Sequence, residues 1–230
     1  MPGYQKSRDD YETWLRRTLG GTLVEADLLD KRKVMKDSAF VFLRGSYWRW
    51  AEVLPEACPE LMPAPSVLAV GDVHVENFGT WRDADGRLVW GVNDYDEAAE
   101  MPFVIDLVRL AVSAVLAADA RKAAPAPFTA PILSGYRAGV DAPSAIVLER
   151  DWAWLREAVV VSEQRRQKFW KKIAARVNEP APAGVRAALG SAMPEPAQAF
   201  DTARRQAGTG SLGRPRWIGV ADWRGGPIVR

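Results

Sequence analysis

The spacing of apolar residues predicts helices in the first part of the chain. Tyr11, Leu15 and Leu19 recur at four-residue intervals, which places their side chains on one face of a helix. A glycine pair follows Leu19 and ends this helix, because glycine is unfavourable inside helices. Two further amphipathic segments, about 23–36 and 39–54, predict a second and a third helix.

The pattern changes to that of strands after Pro65. Residues 66–70 form a short apolar run that ends at Gly71, which predicts a strand leading into a loop. Residues 77–81 and 87–92 are also rich in strand-forming side chains, and they flank an Asp-Gly pair. Such a pair between two strands predicts a β-hairpin.

The second half of the chain returns to helical spacing. Apolar positions predict helices over 103–120, 132–140 and 145–177, with a proline-rich loop between the first two. Residues 178–197 are rich in alanine and proline, which predicts a linker with one helical turn. Beyond this linker, two strand-forming runs flank an Arg-Gly-Gly turn. These helical and strand segments together predict an α+β fold.

Composition excludes several classes of function. The chain has 230 residues, of which 48% are hydrophobic, enough to bury a core. Its 31 basic and 29 acidic residues are interleaved and leave a net charge of +2, so we expect neither nucleic-acid nor membrane binding. Cys58 is the only cysteine, which excludes an internal disulfide and a thiolate metal cluster. Since the sequence shows no signal peptide and no bilayer-spanning apolar stretch, we expect a cytoplasmic protein.

The segment GDVHVENFG, residues 71–79, concentrates polar side chains between two apolar runs. A metal-dependent phosphoesterase usually needs several imidazoles around two metals, and His74 is the only histidine of the chain. Two other interpretations stay open. In the first, Asp72 and Asn77 cap a turn beside a buried His74. In the second, Asp72 accepts the proton of an acceptor hydroxyl and Asn77 supplies an amide oxygen to Mg²⁺ in phosphoryl transfer.

Phosphoryl transfer also requires a second carboxylate for the metal that bridges the nucleotide phosphates. The segment VNDYDEA follows the predicted hairpin and supplies Asp94, with Asp96 and Glu97 as nearby alternatives. Because a hairpin returns the chain towards its starting point, we expect Asp94 to lie beside the loop that carries Asp72.

A first resemblance rests on three segments, GDVHVENFG, VNDYDEA and MPFVIDLVRLA. They resemble the catalytic and metal-binding loops of aminoglycoside phosphotransferase-like and other protein-kinase-like enzymes. The resemblance implies that Asp72 is the catalytic base and that Asn77 and Asp94 are Mg²⁺ ligands. It also implies that Asp106, at the start of the next helix, braces the catalytic loop. The alternative for Asp106 is an ordinary acidic residue near a helix N-terminus.

A second resemblance rests on five segments in chain order, DSAFVFLRGS, GDVHVENFG, VNDYDEA, IDLVRLAVS and GTGSLGRPRW. In these the chain is similar to an uncharacterised bacterial family, domain of unknown function 2252, from about residue 31 to the end. Together the resemblances imply a protein-kinase-like fold with ATP and Mg²⁺ as cofactors. A mostly helical catalytic lobe, 1–197, would precede the beginning of a β-rich nucleotide lobe, 198–230.

The last of these segments contains a glycine-rich loop. Gly208, Gly210 and Gly213, with Ser211 among them, form a G-x-G-x-x-G pattern that lets the backbone approach phosphates. Strand-forming residues follow the loop, which favours a kinase-type loop between two strands over a dinucleotide-binding fold. A plain glycine-containing hairpin is the remaining alternative. We therefore predict that these four residues bind the nucleotide.

The order of the segments differs from that in kinases, where the glycine-rich loop precedes the catalytic loop, so the resemblance implies a circularly permuted chain. No lysine follows Lys172, although kinases place a phosphate-pairing lysine after the glycine-rich loop. The sequence stops at Arg230 within a predicted strand, and we expect a truncated nucleotide lobe that is mobile from about residue 198 and binds ATP weakly. Arg44 is a second candidate phosphate contact, or else an arginine on a helix surface.

These observations favour ATP- and Mg²⁺-dependent phosphoryl transfer to a hydroxyl of an unidentified acceptor. A nucleotide-binding pseudokinase or regulatory module without turnover is the first alternative. A structural or interaction protein, whose polar loops only cap turns, is the second.

Overall fold

The computed structural model describes residues 2–118, 126–150, 152–175, 179–195, 199–206 and 208–230. The chain divides into two compact units. Unit 1 comprises Met1–Tyr11 and Lys33–Val160, and unit 2 comprises Glu12–Arg32 and Val161–Arg230. This division does not test the two functional lobes predicted for 1–197 and 198–230, which stay predictions.

Helices occur in both halves of the chain. In the described residues they are α1 (Tyr4–Leu19), α2 (Glu25–Val34), α3 (Ala39–Gly45), α4 (Tyr47–Ala57), α5 (Val104–Ala117), α6 (Ala126–Asp141), α7 (Ala153–Val159), α8 (Glu163–Ala174) and α9 (Ala183–Ser191). Short 3₁₀ turns lie at Gly20–Thr22 and Pro59–Leu61. Within this part of the chain, no helix combines the length and apolar character needed to cross a membrane.

The strands of the described residues form antiparallel sheets. They are β1 (Ser66–Ala69), β2 (Phe78–Arg82), β3 (Leu88–Val92), β4 (Ala99–Pro102), β5 (Ile146–Val147), β6 (Asp201–Arg204), β7 (Trp217–Trp223) and β8 (Gly226–Val229). β1 pairs with β4, while β2, β3 and β5 form a second sheet in that order and β6, β7 and β8 a third. Helices with antiparallel sheets confirm the predicted α+β class.

The N-terminal helices follow the sequence prediction, with one additional break. The segment predicted as a single helix over 39–54 is divided into α3 and α4 near Ser46. The Ser46 hydroxyl donates to the backbone oxygen of Phe42 at 2.6 Å, and such side-chain bonds compete with helix continuation. At the other end of α3, the Ser38 hydroxyl accepts a hydrogen bond from the Val41 amide at 3.2 Å and caps the helix.

The continuous helix predicted over 145–177 is wrong, because this segment forms β5, α7 and α8. Ile146 pairs with Trp90 of β3, so tertiary pairing overrides the local apolar spacing. The linker predicted over 178–197 is wrong at its centre, where α9 forms in an alanine-rich stretch. Residues 176–178 and 196–198 of these segments, and the last two of the helix predicted over 103–120, lie outside the described residues.

The predicted Asp-Gly hairpin is the hairpin of β2 and β3. Its turn is closed by Asp83, whose Oδ1 accepts hydrogen bonds from the amides of Asp85 at 3.0 Å and Arg87 at 2.9 Å. Gly86 has a φ of +77°, a conformation that favours glycine. The hairpin returns the chain after β3 to the residues that precede β2.

Each unit buries its own apolar side chains. The buried residues of unit 1 include Met35, Phe40, Leu43, Leu54, Ala69, Val73, Val89, Ile105 and Leu148. In unit 2, Ile173 of α8 packs against Ala203 and Ile218 of the β6–β8 sheet. This packing gives the C-terminal sheet a buried face.

The C-terminal strands confirm the predicted strand pair around the Arg-Gly-Gly turn. Arg224 and Gly225 connect β7 to β8 with φ values of +48° and +89°, as in the two-residue turns that suit hairpins. Gly219 and Arg230 exchange both backbone hydrogen bonds, at 3.0 and 2.9 Å. The segment forms a three-stranded sheet with a buried face, and the mobility expected for it stays a prediction.

Candidate active site

The loop that carries Asp72 follows β1 and closely approaches the loop after β3. Gly71 begins the first loop with a φ of +85°. A Cβ atom at this position would lie 2.2 Å from the backbone oxygen of Glu97 and 2.8 Å from Oη of Tyr47. Glycine is therefore required both by the backbone conformation and by the neighbouring loop.

Asp106 holds the backbone immediately before Asp72. It lies in the first turn of α5. Its Oδ2 accepts a hydrogen bond from the Val70 amide at 2.7 Å, and its Oδ1 accepts one from the Gly71 amide at 3.0 Å. These contacts confirm that Asp106 braces the loop as predicted, and backbone amides bound to a carboxylate form strong hydrogen bonds.

Asn77 joins the two polar loops through its side chain. Its Nδ2 donates to the backbone oxygens of Asp72 at 3.2 Å and Asp94 at 3.0 Å, while its Oδ1 accepts a hydrogen bond from the Asp94 amide at 3.0 Å. Only 3% of the residue is exposed. The structure thus brings together the three residues predicted as base and metal ligands.

Asp94 leaves its carboxylate at the surface of this pair of loops. The residue is exposed, and its Oδ1 accepts a hydrogen bond from the Asp96 amide at 3.3 Å. Asp96 is exposed as well. The Asn77 oxygen uses one of its two lone pairs on the Asp94 amide, which leaves it capable of a second contact. Carboxylate and amide oxygens are ligand types that suit Mg²⁺.

Arg109 of α5 is fully buried and binds Asp72. Its Nε donates to Oδ1 of Asp72 at 3.0 Å, and its Nη2 contacts the same oxygen. Nη2 also donates to the backbone oxygen of Leu43 at 2.9 Å. The guanidinium carbon lies 5.1 Å from the ring centre of Tyr47 and 5.3 Å from that of Trp50. Both nitrogens of Arg109 thus contact the same carboxylate oxygen, Oδ1.

The surroundings of Asp72 change its acidity. Burial raises the pKa of the Asp72 carboxyl, and the guanidinium of Arg109 opposes this rise. The nearby carboxylate of Glu97 raises the Asp72 pKa further, whereas Arg44 lowers it. A raised pKa makes a carboxylate a stronger proton acceptor than a free aspartate.

His74 is a structural residue of the same loop. Its Nδ1 accepts a hydrogen bond from the Glu76 amide at 3.2 Å, and its ring meets the Phe40 ring edge-on at 6.0 Å. Burial lowers the pKa of His74 to about 3, so the imidazole is neutral near pH 7. Among the described residues, no three His, Cys, Asp or Glu side chains group as metal ligands.

Arg44 lies at the end of α3 and contacts the same loop. Its Nη1 pairs with Glu76, and its guanidinium lies 5.8 Å from the ring centre of Phe40. Its Nε is buried and has no hydrogen-bond partner within the described residues. The proximity to Asp72 fits a phosphate contact and the Glu76 pair fits a surface arginine, so both interpretations stay open.

The glycine-rich loop lies in unit 2, between the antiparallel strands β6 and β7. Gly208 and Gly213 have φ values of +71° and +100°. A Cβ atom at Gly213 would lie 2.6 Å from Cδ2 of Leu28, so packing alone explains this glycine. At Gly208 the same atom would lie 3.1 Å from Oγ of Ser211. The nucleotide-binding role of Gly208, Gly210, Ser211 and Gly213 stays a prediction.

Sequence analysis missed two residues of these sites. Arg109 interrupts an otherwise apolar helix, and this lone cation in the run LVRLAV was the available signal. Lys31 of α2 is also buried, and its Nζ donates to the backbone oxygen of Gly210 at 2.7 Å. Kinase order predicts a lysine after the glycine-rich loop, whereas Lys31 lies 179 positions before Gly210.

Comparison with known proteins places the chain in a family. The family model described as "Uncharacterized protein conserved in bacteria (DUF2252)" matches residues 23–181, a span that includes Asp72, Asn77, Asp94 and Arg109. No curated protein and no solved structure matches the chain. Since the matched span covers more than half of the sequence, the protein belongs to this family of uncharacterized bacterial proteins, DUF2252.

Proposed function

We propose that the protein is a protein-kinase-like phosphotransferase that uses ATP and Mg²⁺ to phosphorylate a hydroxyl group of an acceptor. The observation that carries this proposal is the side chain of Asn77, which binds the backbones of both Asp72 and Asp94. Kinase-type transfer needs a base and a metal-binding carboxylate held close together. The resemblance of the segments around these residues to phosphotransferase loops agrees with this assignment.

Mg²⁺ would be held by the carboxylate of Asp94 and the amide oxygen of Asn77. Both are hard oxygen ligands, which Mg²⁺ prefers, and few protein ligands are needed because phosphates and water complete its coordination. When bound, the ion neutralises charge on the nucleotide phosphates. The exposure of Asp94 agrees with a ligand that meets a substrate at the surface.

In this proposal Asp72 orients the acceptor hydroxyl and accepts its proton. Arg109 holds Oδ1 of the carboxylate and so orients Oδ2 towards the acceptor. Burial raises the pKa of Asp72, which favours proton acceptance, and the charge of Arg109 opposes this rise. Arg109 is therefore a positioning residue.

A nucleotide-binding module without turnover is the second candidate. Oδ1 of Asn77 accepts a hydrogen bond from the Asp94 amide, and Oδ1 of Asp72 accepts one from Arg109. Both contacts favour a rigid binding site, and rigidity alone does not require catalysis. Turnover separates the two candidates, since both predict nucleotide binding.

The test compares Asp94→Asn with Asp85→Asn, an exposed carboxylate in the turn at the other end of the β2–β3 hairpin. We expect Asp94→Asn to remove the Mg²⁺-dependent part of ATP affinity and Asp85→Asn to keep it, measured by isothermal titration with and without Mg²⁺. Equal Mg²⁺ dependence in both variants would contradict the metal site.

Catalysis is tested separately at Asp72. We expect Asp72→Asn to keep ATP affinity and to lower ATP consumption with an acceptor library by roughly 10²–10⁴-fold, because the amide cannot accept the proton. Asp141→Asn, an exposed residue at the end of α6, is the control. Nucleotide binding without measurable turnover in the parent protein would favour the binding module.

A further inference from the structure

A cavity of about 290 Å³ lies in unit 2 at the base of the glycine-rich loop. Its charged lining consists of Arg204, Arg205, Arg214, Arg216, Asp27 and Glu179. Four guanidinium groups and two carboxylates give this lining a net charge of +2. The lining therefore attracts anions.

The four arginines lie where the strands β6 and β7 meet the glycine-rich loop. Arg204 ends β6, and Trp217 of β7 is its direct partner. The next residues continue the ladder, since the Arg205 amide donates to the backbone oxygen of Arg216 at 2.9 Å. The arginines therefore come from both ends of the glycine-rich loop and are held together where the loop closes.

The two carboxylates of the lining also have neutral partners. Glu179 accepts a hydrogen bond from the Arg204 amide at 3.3 Å through Oε2. Asp27 accepts one from Nε2 of Gln206 at 2.9 Å. These contacts fix the carboxylates at the wall of the cavity. An anion that enters would be attracted by the excess of guanidinium groups.

We propose that this cavity binds an oligophosphate, either free or as the phosphate chain of ATP. Guanidinium groups bind phosphate oxygens in a bidentate manner and stay charged at all physiological pH values. A cavity of about 290 Å³ is at the small end of ligand sites and suits a phosphate chain better than a whole nucleotide. Only the assignment to ATP rests on the proposed function.

The cavity supplies positive charge beside the glycine-rich loop. Kinases place a lysine against the nucleotide phosphates near such a loop, and Arg204, Arg205, Arg214 and Arg216 would supply charge of the same sign here. The backbone of the loop and the arginines would then act on one phosphate chain.

The experiment measures binding of inorganic triphosphate and of ATP to the full chain by isothermal titration without Mg²⁺. The cavity variant is Arg205→Gln with Arg214→Gln. The control is Arg186→Gln with Arg224→Gln, which removes the same charge from unit 2 outside the cavity, where the two arginines stack on Phe200 and Trp223. We expect the cavity variant to lose about tenfold or more in triphosphate affinity and the control less than about twofold.

Several results would overturn the proposal. Equal losses in both double variants would show general charge attraction, and a parent that binds no triphosphate would exclude the site. ATP binding without triphosphate binding would assign recognition to the nucleoside. Should the cavity variant fail to fold, Arg205→Gln compared with Arg224→Gln repeats the test.

The proposed phosphotransferase function can be rejected independently of the cavity. Binding of triphosphate without Mg²⁺ does not involve the carboxylate of Asp94, so Asp94→Asn should keep it. If Asp94→Asn loses the Mg²⁺ dependence of ATP binding and the cavity variant keeps its triphosphate affinity, only the cavity is rejected. If Asp94→Asn keeps the Mg²⁺ dependence and the cavity variant loses triphosphate affinity, only the metal site is rejected. If the parent protein binds free triphosphate with the same affinity as ATP, the free anion is identified as the ligand.

Discussion

At the scale of single residues, the buried pair of Arg109 and Asp72 dominates the candidate site. Removing the guanidinium in Arg109→Met leaves a largely buried carboxylate without its partner. We expect a loss of about 3–5 kcal/mol in the free energy of unfolding, measured by urea denaturation. Arg82→Met removes an exposed arginine of β2 and should cost less than about 1 kcal/mol. Similar losses in the two variants would contradict a buried ion pair.

His74 should make the stability of the protein depend on pH. Burial lowers the pKa of His74 to about 3 from an ordinary value of 6.5, so the unfolded chain binds a proton that the folded chain excludes. The stability contribution is therefore present above pH 6.5 and falls between pH 6.5 and 3, at up to about 1.4 kcal/mol per pH unit.

The variant His74→Asn isolates this effect. The asparagine Oδ1 can replace Nδ1 as the acceptor for the Glu76 amide, but it does not titrate. We expect urea denaturation at several pH values to show a smaller loss of stability in the variant between pH 6 and 4. Identical pH dependence in both proteins would show that His74 binds its proton equally well in the folded and the unfolded chain.

At the scale of elements, the close approach of two loops depends on Gly71. Gly71→Ala introduces a Cβ atom 2.2 Å from the Glu97 oxygen in a backbone with φ of +85°. Gly86→Ala is the matched control, because its φ is +77° and no atom lies within 4 Å of the added Cβ. We expect Gly86→Ala to cost about 1 kcal/mol and Gly71→Ala about 1–3 kcal/mol more in unfolding free energy. Equal costs would mean that the loops separate readily.

Sequence patterns were most informative where the cause of a structure is local. The Asp-Gly pair sufficed for the β2–β3 hairpin, and the β-forming run 66–70 sufficed for β1 and the loop behind it. The resemblance predicted the contact of Asp106 with the loop, and this contact is present in the structure. The site residues Asp72, Asn77 and Asp94 could be brought together in advance because the hairpin that joins them is short.

Other features depend on distant parts of the chain and left no local signal. The ion pair of Asp72 joins residues 37 positions apart, and an apolar helix does not reveal which loop its single arginine meets. Lys31 reaches Gly210 across 179 positions. β5 forms because β3 offers it a partner, whereas the apolar spacing around it is equally compatible with a helix.

At the scale of the whole molecule, each compact unit has buried residues of its own. In unit 2, Ala203 and Ile218 are almost fully buried between the β6–β8 sheet and α8. Cooperative units of this kind open with their own free energies, so truncating a core residue should act first on its own unit. The amides of β6 and β7 should accordingly be protected from hydrogen exchange, against the mobility expected from sequence.

Ile218→Ala provides the test of this expectation. Loss of a buried isoleucine typically costs about 2–5 kcal/mol, and we expect hydrogen exchange to show this loss in the amides of β6, β7 and β8. The control is Ile228→Ala in β8, which removes a less buried isoleucine of the same sheet and should cost less. Amides of β2 and β3 in unit 1 serve as the internal reference and should keep their protection. Unprotected amides in the β6–β8 sheet of the parent protein would show that this segment is mobile. An equal loss of protection in both units would show that they unfold as one cooperative structure.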